Sequence, residues 1–160
     1  MSSTVAHKGA LRILLVLMGV PSVVIGLWAG FAPRGFYDDF PGVGGSWVAP
    51  DGPFNEHLVR DVGVLNLALA VVTIAAAVSL TRPLVRATAW AWLVYSVPHL
   101  VYHVRHRDVL GGADRVSSLA SLALLPLLAL AVLLIVHQRP ATPRPIDDHD
   151  PSAGDGALSR

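Results

Sequence analysis

HLVRDVGVLNLALAVVTIAAAVSL, residues 57–80, decides what kind of molecule this is. As a helix, such a stretch rises about 36 Å, enough to cross a hydrocarbon core of roughly 30 Å. Its opening turns nevertheless carry His57, Arg60 and Asp61, with Glu56 just before them and Asn66 one turn deeper. A charged side chain in hydrocarbon costs roughly 2.5–3.5 kcal/mol on insertion scales, so these residues are expected to face a bundle interior or a watery cavity. They form the default candidate site.

Working outward, three more apolar segments are predicted as spans, at about 11–32, 83–104 and 116–137. The expected fold is therefore all-α, a four-transmembrane-helix bundle. Pro21 and Pro98 interrupt two of the helices, which membrane helices tolerate where a neighbour satisfies the freed carbonyl. The first segment is longer than a signal-peptide core and is not followed by a clean small-x-small cleavage site, so it reads as a retained helix. Thr81 and Arg82 alone join the second and third segments, which predicts a tight antiparallel hairpin. That hairpin would set the opening of the second segment beside the close of the third.

The third segment is the least apolar and ends in His99, His103 and His106. Positions i, i+4 and i+7 share one helix stripe, which Tyr95 and Trp92 extend backward, with Tyr102 at its edge. The expected pocket therefore joins Glu56, His57, Arg60, Asp61 and Asn66 to Tyr95, His99, Tyr102 and His103. Between the first two helices, the stretch 33–53 combines glycines and prolines with Phe36, Tyr37, Phe40 and Trp47. Glycine and proline mark turns, and aromatics favour the headgroup interface, so it reads as a folded interfacial cap over that pocket. The stretch 138–160 is rich in Pro, Asp, Ser and Gly and is expected to be a disordered cytoplasmic tail.

Composition agrees with a membrane chain: 53% hydrophobic, only 14% charged, and a mean hydropathy of +0.56. A net charge of +1 without a basic, aromatic-laced stripe argues against a nucleic-acid partner. The absence of cysteine excludes disulfides, thiolate metal sites, Cys nucleophiles and Cys-attached haem. Eleven arginines to one lysine, with abundant Ala, Val, Leu and Gly, point to a high-GC bacterial genome.

Orientation follows from basic residues near the helix ends. Lys8, Arg12, Arg82, Arg86, Arg139, Arg144 and Arg160 fall on one side, and Arg34, Arg60, Arg105, Arg107 and Arg115 on the other. This bias predicts a bacterial plasma-membrane protein with both termini in the cytoplasm and the ionisable residues facing outward.

Four chemistries compete for those residues. Imidazole and carboxylate suit a transition metal, with His57, Asp61, His99 and His103 as ligands, although neither HExxH nor a paired Glu-x-x-His is present. Haem between two histidines on facing helices is a weaker variant. Histidine and aspartate together can also bind a polar headgroup or exchange protons. The fourth reading is purely structural. Glu56–Arg60 and His57–Asp61 are favourable i,i+4 pairs, and the acidic and cationic residues suit the N- and C-terminal helix dipoles respectively. Ser22, Gly26 and Gly30 add a small-xxx-small face on the first helix, and Gly63 admits a close neighbour on the second.

Ala32-Pro33 closing the first helix, Phe36 and Tyr37, the Gly/Pro loop, and Asn55-Glu56-His57 with Arg60 and Gly63 opening the second together carry a resemblance. Over about 11–136 the chain resembles the DoxX-like and related small four-helix membrane proteins of bacteria. The resemblance implies a four-helix bundle in the plasma membrane and no particular activity. The expected function is an accessory or structural membrane protein, with the bilayer and either a second copy or another membrane protein as partners. Metal or haem binding, and small-molecule or proton handling as a transporter component, are the alternatives.

Overall fold

A computed structural model describes residues 2–137 of the chain. The expected tail at 138–160, with Arg139, Arg144 and Arg160, lies outside the described residues. Among those described, the chain is all-α, with five helices: α1 Ser2–Phe31, α2 Pro33–Asp39, α3 Glu56–Ser79, α4 Arg82–Arg105 and α5 Gly112–His137. Single 3-10 turns lie at Ala49–Asp51 and Arg107–Val109.

Three stretches, His7–Phe31, Glu56–Ser79 and Gly112–His137, are long and apolar enough to cross a membrane. The fourth long helix, α4, matches them in length but not in apolarity. Arg82, Arg86, two tryptophans, two tyrosines and two histidines dilute it. Four equivalent spans are thus not what composition delivers. Phe31 and Val78, on two of the three apolar stretches, are each about three-quarters exposed (73% and 74%), apolar surface of a kind that lipid accommodates.

The boundaries have local causes. The Asn55 side chain accepts the Leu58 backbone N–H at 3.1 Å and starts α3. Leu80 closes α3 in the left-handed region at φ 50°, and Pro83 sits in the first turn of α4. Helix α2 falls inside the stretch expected to be loop. Its signal was Pro33, whose missing N–H and fixed φ suit a first helical position. Helices α1 and α5 begin earlier than the apolar runs, because helix continues through polar residues that the lipid criterion leaves out.

The four long helices alternate in direction around a ring, α1–α3–α4–α5, in which α1 faces α4 across the bundle and the α1/α3 and α4/α5 seams are the most extensive. A Cβ built on Gly63 would stand 2.3 Å from the Gly30 nitrogen, and one on Gly26 would stand 3.0 Å from the Gly63 carbonyl oxygen. The two backbones therefore touch, as the small-residue stripe allows. The main core, around Leu15, Met18, Val85, Trp92 and Val132, fills the half nearer the start of α1. The other half is closed by a smaller cluster of Ala29, Phe36 and Val59, flanked by Trp28, Phe40, Val48 and Phe54.

Candidate functional site

All the ionisable residues singled out by sequence lie at that second end, which holds the openings of α3 and α5, the close of α4 and the loop. At α3, Glu56 Oε1 accepts from Arg60 Nε at 2.9 Å and lies 2.8 Å from its Nη2. Arg60 Nη1 also donates to the Gly30 carbonyl at 2.6 Å. A helix leaves its last carbonyls without partners, so Arg60 caps α1 from a neighbouring element and complements its negative end. His57 Nδ1 lies 3.4 Å from Asp61 Oδ2, both side chains well exposed at 86% and 57%. These are surface i,i+4 pairs, worth a few tenths of a kcal/mol each (~0.3–0.5). Glu56 and Arg60 border an open groove of about 470 Å³ with Arg34, Phe54, Ala32 and Pro33. Arg34 lies over the Tyr37 and Phe54 rings and pairs with Asp38 at 2.6 Å.

The histidines of α4 turn elsewhere. Tyr95 and His99 stack in near-parallel planes (13°) at 5.7 Å, and His103 meets His99 edge-on at 4.9 Å. Tyr102 stacks on His106 at 4.2 Å and stands edge-on to His103. His103 and His106 then line a cleft with Trp47, Asp51, Arg115 and Ser118. That half-open cleft offers about 10 Å³, room for a single water. The loop is held over it because Trp47 Nε1 donates to Asp114 Oδ1 on α5 at 3.3 Å. Positive φ at Gly42 and Gly44 lets the chain turn close to the Trp28 ring and the Asp114 carboxylate.

Beneath this mouth lies a buried hydrogen-bond network. Ser22 Oγ on α1 donates to the Asn66 carbonyl at 2.8 Å and lies 3.2 Å from Asn66 Oδ1. Asn66 Nδ2 donates to Tyr95 Oη at 3.2 Å and to the Val62 carbonyl at 2.9 Å. Two turns further, Trp92 Nε1 donates to Thr73 Oγ1 at 2.8 Å, and Thr73 donates to the Leu69 carbonyl at 2.7 Å. Ser22, Asn66, Thr73 and Trp92 are all at most 3% exposed. Asn66 thus joins α1, α3 and α4 at one depth.

Placed together, the expected pocket residues share an end of the bundle but not one side-chain cluster. Glu56, His57, Arg60 and Asp61 belong to the α1/α3 side, where α3 is drawn onto α1 by the glycine crossing. His99, Tyr102 and His103 belong to the α4/α5 side and the loop. Only Asn66 and Tyr95 bridge the two. Among the described residues, no three His, Asp or Glu side chains gather as metal ligands must, so His57, Asp61, His99 and His103 do not form the donor set expected of them.

Sequence reading placed Trp47 in the cap but missed Asp51, Asp114 and Arg115 at the mouth, and Thr73 in the network. Asp51 had a visible signal in Pro50-Asp-Gly-Pro53, a tight turn that fixes a carboxylate. Thr73 had one as a lone hydroxyl in an apolar run. Searches of family models, curated proteins and solved structures found no match for the chain.

Proposed function

We propose that this chain is an accessory membrane protein, a four-helix bundle crossing a bacterial plasma membrane with both termini inside and its loop outside. One observation carries the reading: five side chains with polar groups at mid-bundle, Ser22 with Asn66 and Tyr95, and Thr73 with Trp92, bond to one another across helix seams. In lipid, a polar group needs such a partner, and satisfied networks tie helices together. The cleft at His103 and His106 has room for about one water. Helix α4 joins three apolar neighbours of similar length and buries Trp92 among them, which supports a fourth crossing. The exposed apolar faces suit lipid, a second copy or another membrane protein.

The chain contains no cysteine, so single cysteines placed at Ser46, Thr81 and Gly111 report sidedness directly. In intact cells, an impermeant maleimide should label the Ser46 and Gly111 variants and spare Thr81. Thr81 and Gly111 behaving alike, both spared or both labelled, would remove α4 from the membrane. One metal equivalent or a haem absorbance band in the purified protein would replace the accessory role with a cofactor-binding one.

A second reading is proton handling, favoured by the Tyr95–His99–His103 series that runs from the Asn66 network to the cleft at Asp51. It requires proton flux in liposomes that His99→Phe abolishes. Flux equal to that of empty liposomes would dismiss it.

A further inference from the structure

Charge is divided between the two ends of the bundle. The chain has eleven acidic residues, and the seven that precede residue 138, from Asp38 on α2 to Asp114 on α5, all lie at the end that carries the loop and the histidines. Five arginines accompany them. The opposite end carries Lys8, Arg12, Arg82 and Arg86 with no Asp or Glu among the described residues. Among the described residues, one end is therefore at −2 and the other at +4, counting formal charges.

The cationic end is also built against its own repulsion. Lys8 and Arg12 stand i,i+4 on α1, as do Arg82 and Arg86 on α4. Like charges at that spacing destabilise a helix by about 0.2–0.5 kcal/mol per pair. Arg12 is held in place, its Nε donating to the Ala77 carbonyl at 3.0 Å near the end of α3. Lys8, Arg12 and Arg86 are all exposed. Helices α1 and α4 lie across the ring from each other, so the two cationic pairs sit on opposite flanks. A single small anion could not bridge them. A layer of anions surrounding the bundle can.

We propose that this end binds the headgroups of anionic phospholipids, with Lys8/Arg12 and Arg86 as two separate contact points in the leaflet that receives the start of α1. The proposal rests on the membrane reading above. Basic residues at the helix ends attract acidic lipids within about a Debye length, and the attraction weakens with salt. The −2 end gives no comparable pull, so the selectivity belongs to one leaflet.

Trp90 is a built-in reporter. It is 54% exposed and lies one turn from Arg86 on the same stripe of α4. The full chain is reconstituted in vesicles of equal phosphatidylglycerol and phosphatidylcholine, with acyl-chain bromines on one lipid or on the other. Brominated phosphatidylglycerol should quench more than brominated phosphatidylcholine, with an acidic-lipid excess of roughly fivefold per basic residue in contact at low salt. The excess should shrink in 0.5 M salt and in a Lys8→Gln/Arg86→Gln variant, which leaves the Arg12 bond intact. Trp90→Phe should remove it.

Equal quenching by the two lipids overturns the proposal, and so does an excess indifferent to salt. The salt series uses the unaltered protein, so it stands even where a variant misfolds. Equal quenching that becomes unequal only when Asp147, Asp148, Asp150 and Asp155 are changed to Asn would assign this end to the chain's own acidic stretch and overturn the lipid proposal. No quenching by either lipid would place Trp90 outside the bilayer and overturn the membrane reading and this proposal together.

Discussion

At the scale of single residues, the atoms that matter most are the ones Gly63 lacks. A methyl group there would meet the Gly30 nitrogen at 2.3 Å and the Ala29 carbonyl carbon at 2.8 Å, both backbone atoms with no rotamer to yield. Gly63→Ala is expected to cost at least the 1–3 kcal/mol typical of overpacking, roughly. Gly9, also on α1, has nothing within 4 Å of an added Cβ. Gly9→Ala should be neutral, or stabilising by about 0.5–1 kcal/mol through helix propensity. Denaturation of both variants in mixed micelles checks the pair, and equal stability would mean that α1 and α3 do not touch there. By contrast, the charged residues that stand out in the sequence do modest work. His57 and Asp61 pair on the surface, while Arg60 also holds the Gly30 carbonyl.

At the scale of elements, four long helices were legible because apolar runs of some twenty residues have few other uses. Their polar ends were not, since hydropathy marks where lipid begins rather than where helix stops. Helix α2 hid in a Gly/Pro-rich stretch, although Pro33 marked its start. The hairpin at Leu80–Thr81 was readable from length alone. Its consequence was not. A short turn makes two helices antiparallel, but it does not make them each other's main partner. Side-chain size settles that, and the glycines of α1 and α3 draw those two together instead. The expected joint pocket therefore separates into a surface ion-pair patch on α3 and a histidine stack on α4. Asn66 finds a partner in Tyr95.

At the scale of the whole molecule, neither the ring order nor the separation of acidic from basic ends follows from any one segment. The basic residues alone divide seven to five, a weak asymmetry. Adding the acids, which a positive-inside count ignores, makes the described part of the molecule strongly polar along its long axis.

The unequal seams have a last consequence for assembly. Residues 2–79 form one closely joined helical hairpin, and 82–137 form another. The seam between α3 and α4 includes the Asn66–Tyr95 and Thr73–Trp92 bonds. The molecule is thus a covalent dimer of unlike halves. If the chain is divided between Leu80 and Thr81 and both halves are co-expressed, they should insert separately and copurify through an affinity tag on one of them. Asn66→Ala with Thr73→Ala should reduce that recovery severalfold. Independent purification of unaltered halves would show that the peptide link, rather than the seam, keeps them together.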